Sequence, residues 1–143
     1  MKALNSAILA FTVVLCLAPL CAVAQDVELS GLVGAPNQCA LQSEPNELCD
    51  TMAVFLTGEI ELRGPSRVES ISVDDDGIFS AKVPAGERVR VKIRRLRHNG
   101  ARLNPRSYRV RPRTIRVNED TGPVYLMVTH RSQPADSSPR IGY

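Results

Sequence analysis

The sequence predicts an all-β fold, a single antiparallel β-sandwich of seven short strands. Short segments alternate apolar and polar residues, turn residues separate them, and no helical periodicity follows residue 24. The clearest example is the stretch 73–86, in which an aspartate-rich turn ends at Gly77 and a second turn follows at 84–86. Between these turns Phe79, Ala81 and Val83 alternate with polar residues, so one face of this strand should lie in a core.

The first 24 residues are typical of a cleaved secretory signal peptide. Lys2 precedes an apolar run over residues 7–20, and the small residues 22–24 suit cleavage after Ala24. The run is shorter than the ~20 residues that a membrane-spanning helix needs. Leu20, directly before Cys21, argues against lipidation of that cysteine. We therefore expect a secreted or periplasmic protein without a membrane span, whose mature chain begins at Gln25.

The mature chain is long enough for one domain, which we place at residues 25–131. Strands are expected at 27–33, 51–57, 68–73, 78–83, 88–96, 108–117 and 124–129, with turns at 64–66 and 99–100. Alternation predicts that Val54, Leu56, Ile71, Val73, Val124, Leu126 and Val128 are among the side chains that face the core. Residues 132–143 are polar and rich in proline and serine, which predicts a disordered tail.

Two cysteines remain after removal of the signal peptide, Cys39 and Cys49. In an exported protein, a disulfide between them is the default expectation. By its loop length this disulfide would stabilise the fold by roughly 3 kcal/mol. A metal site that combines these thiols with His98 and His130 is the alternative, although the spacing matches no zinc pattern.

Three segments together resemble the carboxypeptidase regulatory-like family. These are the first strand at 27–31, the segment 53–58, and the run Asp-Gly-Ile-Phe-Ser at 76–80 followed by Val-Pro-Ala-Gly at 83–86. The resemblance covers most of residues 26–130 and implies a seven-stranded, Greek-key, transthyretin-like (prealbumin-like) β-sandwich. It also implies an accessory, stalk, adhesion or binding module, that is, a scaffold more than an activity.

Enzymatic signatures of related sandwiches are missing from the sequence. The chain ends Pro-Arg-Ile-Gly-Tyr where transthyretin-type hydrolases carry Tyr-Arg-Gly-Ser, and it has no His-x-His pair of the kind that intradiol dioxygenases use for iron. Asp74, Asp75 and Asp76 suit a hairpin turn better than a calcium loop, although a weak calcium site there is an alternative. We expect no enzyme, no cofactor and no metal. A small hydrolase with a pocket near His98 or His130 remains as a third hypothesis.

Charge is divided sharply along the chain. Residues 25–87 contain twelve acidic and three basic residues, whereas residues 88–118 contain twelve basic residues and no acidic one. Alternation places four cations on the outer face of the fifth strand and three more on the sixth, namely Arg88, Arg90, Lys92, Arg94, Arg109, Arg111 and Arg113. If these two strands pair, the seven side chains form one cationic surface that attracts polyanions.

Two functional hypotheses follow from this surface. The first is a non-enzymatic binding module for an acidic protein or a polyanionic envelope component. The second is a structural module of the cell envelope that self-associates or serves as an accessory subunit. Nucleic acid is a poor partner because the protein is expected outside the cytosol and has few aromatic residues to stack on bases. The charges could also balance internally, since Glu28, Glu59 and Glu61 should face outward as well.

Overall fold

The computed structural model describes residues 25–44, 49 and 52–133. The strands are β1 (Asp26–Ala35), β2 (Val54–Phe55), β3 (Thr57–Arg63), β4 (Val68–Val73), β5 (Ile78–Pro84), β6 (Arg88–His98), β7 (Ala101–Arg102), β8 (Tyr108–Arg111), β9 (Thr114–Arg116) and β10 (Val124–His130). One 3-10 helical turn spans Gln38–Leu41. The predicted signal peptide, and all of the predicted tail beyond Gln133, lie outside the described residues.

Sheet A contains β2, β1, β10 and β8 in that order, and β5 pairs with β1 on the same side as β2. The pairing of β1 with β10 is parallel, with Gly31 opposite Val124 and Gly34 opposite Met127. The expectation of a purely antiparallel sandwich is therefore wrong at this one pair. A tight turn can join only antiparallel strands. Because strands of both sheets lie between β1 and β10 in the sequence, no tight turn joins these two, and they can pair in parallel.

Sheet B contains β4, β3 and β6 in that order. On the far side of β6, β9 pairs with the first residues of the strand and β7 pairs with its last residues. The positions of β6 between these two short partners have no strand beside them among the described residues. This gap opens one side of the sandwich.

The core lies between the inner faces of the two sheets. Sheet A contributes Leu29 and Phe79, and sheet B contributes Ile60, Val91 and Leu96, all of which are almost completely buried. The polar residues that alternate with them in the strand sequences face solvent, as the period of two requires. The predicted all-β sandwich class is confirmed.

The loop after β1 is closed by the predicted disulfide. Cys39 and Cys49 are bonded, with 2.05 Å between their sulfur atoms. Asn37 caps the short 3-10 turn because its side-chain oxygen accepts a hydrogen bond from the backbone N–H of Ala40 at 2.9 Å. The Tyr108 hydroxyl donates to the carbonyl of Leu41 at 2.8 Å, which attaches this loop to β8.

The described chain has ten strands where the sequence predicted seven. The strand predicted at 51–57 corresponds to β2 and the start of β3, which continues to Arg63. The strand predicted at 108–117 is two strands, β8 in sheet A and β9 in sheet B. Pro112 lies between β8 and β9, after a cis peptide bond, and since it has no N–H to donate, it cannot continue a ladder. The short β7 forms a hairpin with the end of β6 across the predicted turn at Asn99 and Gly100.

Gly58 lies beside a bulge, because the register between β3 and β6 shifts so that Glu59 faces Arg95 and Ile60 faces Ile93. Its φ of 127° is unfavourable for other residues, and a Cβ atom there would clash with the carbonyl oxygen of Arg95. We expect Gly58→Ala to lower the free energy of unfolding by at least about 2 kcal/mol, measured by urea denaturation.

Gly122→Ala is the matched control, because a Cβ at Gly122 meets no atom within 4 Å and the backbone there has no positive φ. Its free energy of unfolding should stay within about 0.5 kcal/mol of the parent. Equal effects of the two substitutions would contradict the bulge geometry.

Candidate functional site

The seven cations predicted as one surface are divided between the two sheets. Arg88, Arg90, Lys92 and Arg94 lie on β6 in sheet B, whereas Arg109 and Arg111 lie on β8 in sheet A. Arg113 lies in the two-residue crossing between β8 and β9. The predicted continuous cationic strand surface is therefore wrong, because β6 pairs with β9 and not with β8. The structure instead presents two separate basic regions.

The first basic region is the outer face of sheet B, where glutamates from β3 balance part of the charge. Glu61 is buried despite its outward direction, and its carboxylate lies 2.9 Å from Arg63 and 3.5 Å from Arg94. Glu59 lies 3.8 Å from Arg95. The internal charge balance considered for the sequence is thus present around Arg94.

Of the remaining cations of this face, Lys92 is opposite Glu61, but Arg88 and Arg90 lie next to other cations. Arg88 pairs with Arg116 of β9, and Arg90 pairs with Arg63 of β3. Neighbouring like charges destabilise a sheet unless counter-ions are close, and Glu61 supplies one beside Arg63. This outer face is consequently an ordinary solvated surface with a buried counter-ion at its centre.

The second basic region is a cleft on the open side of the sandwich, between β6 and β8, with a volume of about 400 Å³. It is lined by Val91, Lys92, Ile93, Pro105, Tyr108, Arg109, Val110, Arg111, Arg113 and Arg131. Half of these residues are cationic, and within the described chain none of the lining residues is acidic. We call this site the basic cleft.

The floor of the basic cleft is apolar. Val91 and Val110 are buried there, one from each sheet. Tyr108 is half-buried, and this burial raises the pKa of its phenol above the ordinary value. The phenol therefore stays protonated well above neutral pH and keeps its hydrogen bond to Leu41.

Several of the cleft's cations are held by the protein itself. The Arg109 Nε donates to Thr129 Oγ1 at 3.1 Å, and its guanidinium also donates to the carbonyl of Gln133. The Arg131 Nε donates to the carbonyl of Tyr108 at 3.2 Å. The crossing that carries Arg113 is fixed by its carbonyl, which accepts a hydrogen bond from the backbone N–H of Val91 at 2.9 Å. An anion would meet guanidinium groups whose positions are already restricted.

Four of the predicted residues meet in the basic cleft, namely Lys92, Arg109, Arg111 and Arg113, while Arg88, Arg90 and Arg94 do not line it. Sequence reasoning did not identify Arg131, which follows β10, or the apolar contribution of Tyr108 and Pro105. No pattern in the sequence around Arg131 indicated a site, because only the pairing of β10 with β8 brings this residue to the cleft. Pro112 was the available signal that residues 108–117 cross between the sheets.

Other candidate side chains have structural partners. Asp74 Oδ1 accepts hydrogen bonds from the backbone N–H groups of Asp76 and Ile78, so the predicted turn is present, but it joins β4 of sheet B to β5 of sheet A and is not a hairpin. His130 Nδ1 accepts from the backbone N–H of Ser132, whose hydroxyl donates to the carbonyl of Ser43. Within the described residues, no group of three or more histidine, cysteine, aspartate or glutamate side chains could hold a metal ion.

Comparisons of this chain with family models, curated proteins and solved structures give no match. The resemblance to the carboxypeptidase regulatory-like family therefore stays a prediction. Across the described residues, no helix has the length and apolar character to cross a membrane.

Glu61 should matter for stability because it is the shared counter-ion of Arg63 and Arg94. We expect Glu61→Gln to lower the free energy of unfolding by about 1 kcal/mol at low salt, since both arginines are half exposed and screened by solvent. Urea denaturation at low and high salt measures this loss, and the loss should shrink as salt rises.

Glu69→Gln is the matched control, because the Glu69 carboxylate is exposed and, among the described residues, forms an ion pair only with Arg67, at 3.8 Å. It should change stability by less than about 0.5 kcal/mol. A salt-independent loss for Glu61→Gln would mean that packing, and not charge, accounts for the role of Glu61.

Proposed function

We propose that this protein is a secreted, non-enzymatic binding module that holds an acidic or polyanionic partner in the basic cleft. The observation that carries the proposal is the convergence of five cations from β6, β8, the crossing and the residue after β10 on one cavity. Chain segments that are distant in sequence contribute these side chains, and no acidic residue of the described chain lines the cavity beside them.

The physical argument distinguishes the cleft from the outer face of sheet B. On that outer face the buried carboxylate of Glu61 balances Arg63 and Arg94, so these two cations have a structural role. In the cleft, low-dielectric apolar walls adjoin the cations, which strengthens their attraction for an incoming anion. Arginine also binds carboxylate and phosphate groups through two parallel N–H donors. Carboxylates and phosphates are therefore the ligand groups that we propose.

Export to the periplasm or beyond is part of the proposal. It is supported by the amino-terminal sequence and by the disulfide between Cys39 and Cys49, which suits an oxidising compartment. Membership of the carboxypeptidase regulatory-like family belongs to the same proposal. The sandwich architecture and the turn at Asp74 to Gly77 agree with that family's pattern.

Charge reversal in the cleft should remove anion binding. We expect the double variant Arg111→Glu with Arg113→Glu to bind poly-glutamate and inorganic polyphosphate at least about tenfold more weakly at low salt, a loss of about 1.4 kcal/mol. Isothermal titration calorimetry of the oxidised protein measures the affinity. Binding by the parent protein should weaken steeply as salt rises, because exposed charges are screened within ~10 Å at 0.1 M.

The double variant Arg88→Glu with Arg116→Glu is the matched control, since it changes net charge by the same amount on the outer face of sheet B. It should retain most of the affinity. If both double variants lose affinity equally, net charge and not the cleft determines binding. Melting temperatures of both variants exclude unfolding as the cause.

An assembly module is a second candidate function, favoured by an apolar patch on the outer face of sheet A. Leu32 pairs with Ile78 on one side and Tyr125 on the other, and the next row places Phe55 and Met127 on either side of Gly34. Ile78, Phe55 and Tyr125 are exposed. Contiguous exposed apolar side chains of this kind mark contact surfaces, and a second copy of the chain is the occupant for this hypothesis.

Self-association through this patch should depend on concentration and on apolar contact. We expect Ile78→Ser with Tyr125→Ser to abolish any dimer that sedimentation velocity detects for the parent protein. Val68→Ser is the control, because Val68 is equally exposed but lies on β4 of the other sheet. A parent protein that stays monomeric up to about 100 μM would eliminate this second candidate, since interfaces of normal size bind more tightly than that.

A further inference from the structure

The basic cleft adjoins a strand edge that has no partner strand among the described residues. β8 is the last strand of sheet A and pairs with β10 alone. Its other edge faces the cleft, because Tyr108, Arg109, Val110 and Arg111 all line it. A row of backbone groups on an open edge is a template for an added strand.

The hydrogen-bond pattern shows which backbone groups face that edge. Ser107 accepts a bond from the backbone N–H of Arg131, so the alternate residues Arg109 and Arg111 also bond to β10. Tyr108 and Val110 fall at the intervening positions, and their N–H and C=O groups point away from β10. The carbonyl of Tyr108 receives the Arg131 side chain.

Side chains alternate along the same edge. Val110 faces the sandwich interior and is buried, whereas Arg111 is on the outer face of sheet A and is exposed. A strand added beside β8 would place every second side chain over the apolar floor of Val91, Ile93 and Val110. The intervening side chains would lie next to Arg109 and Arg111, within the reach of cross-strand pairs.

We propose that the basic cleft receives an extended segment of a partner protein, in which acidic and apolar residues alternate, as an additional strand on β8. This inference rests on the proposed function of the cleft and names its ligand class. A segment of about four residues matches the length of β8 at ~3.4 Å per residue. Its acidic side chains lie next to Arg109 and Arg111, and its apolar side chains cover the floor. A polysaccharide or a lipid phosphate would use the charges but not the backbone edge.

Synthetic peptides test the alternation. An eight-residue peptide of alternating glutamate and valine, with blocked ends, should bind the oxidised full chain at least about tenfold more tightly than its block isomer, Glu-Glu-Glu-Glu-Val-Val-Val-Val. The two peptides have the same composition and charge, so only the two-residue period distinguishes them. Equal affinity would overturn the inference, and Arg111→Glu with Arg113→Glu should weaken binding of the alternating peptide.

Backbone methylation tests strand addition itself. One peptide is N-methylated at every valine amide and a second at every glutamate amide. The backbone N–H groups of a strand point alternately to its two edges, so the valine amides and the glutamate amides lie on opposite edges. Only one edge of the bound peptide would face β8, so just one of the two methylated peptides should lose binding. The valines of the peptide would lie opposite Val110 and Tyr108. In an antiparallel pairing the valine amides would bond to β8, so only valine methylation would abolish binding. In a parallel pairing the glutamate amides would bond to β8, so only glutamate methylation would abolish binding. Equal loss or equal retention would overturn the proposal.

Hydrogen exchange provides an independent measurement. On addition of the alternating peptide, the backbone amide of Val110 should exchange about tenfold or more slowly by NMR, whereas those of Arg109 and Arg111, which already bond to β10, should change little. Unchanged protection at Val110 would contradict strand addition.

If polyphosphate binds the cleft but no peptide does, this inference fails and the proposed function stands. If no anion binding depends on Arg111 and Arg113, the proposed function fails.

Discussion

The basic cleft depends on the short crossing that carries the chain from β8 to β9. Two residues, Pro112 and Arg113, take the chain from the edge of sheet A to the edge of sheet B. Because the crossing is so short, it joins the two sheets at one end of the open side and holds them close there. The hydrogen bond between the N–H of Val91 and the carbonyl of Arg113 fixes this join. Beyond the crossing, basic residues of β6 and β8 line the cleft between the two strands.

Similar arginines acquire different roles from their surroundings. Arg94 lies at a bulge beside the carboxylate of Glu61, which is itself buried by its neighbours. Burying a carboxylate is costly unless cations accompany it, so Glu61 and its two arginines form one structural unit. Arg109 has a different set of partners, a hydroxyl and a carbonyl, which orient the guanidinium, and no ion pair of Arg109 is found among the described residues. Charge on the outer face of sheet B is thus balanced locally, around Glu61, whereas no acidic residue of the described chain lines the cleft.

The sequence predicted the elements whose alternation is regular and failed where it is interrupted. β4, β5 and β10 follow a strict period of two and were identified within one residue of their bounds. The strand predicted at 51–57 includes only the first residue of β3, although Ile60 and Leu62 alternate with Glu59 and Glu61 as far as Arg63. The charge pattern of the sequence identified four cations of the cleft, but it could not show that they line one cavity. Their positions depend on which strands pair, and pairing between segments distant in sequence depends on the whole core.

The parallel pairing of β1 with β10 has a consequence for how this chain folds. The two strands come from opposite ends of the domain and lie side by side in the interior of sheet A. Contacts between segments so far apart in sequence form slowly, because most of the chain must be ordered before they can close. Sheet A therefore cannot be completed during synthesis until β10 is available, whereas the β3 to β6 part of sheet B can assemble earlier. If the chain is exported, as we propose, this late closure would keep the polypeptide open and able to be translocated until its last strand arrives.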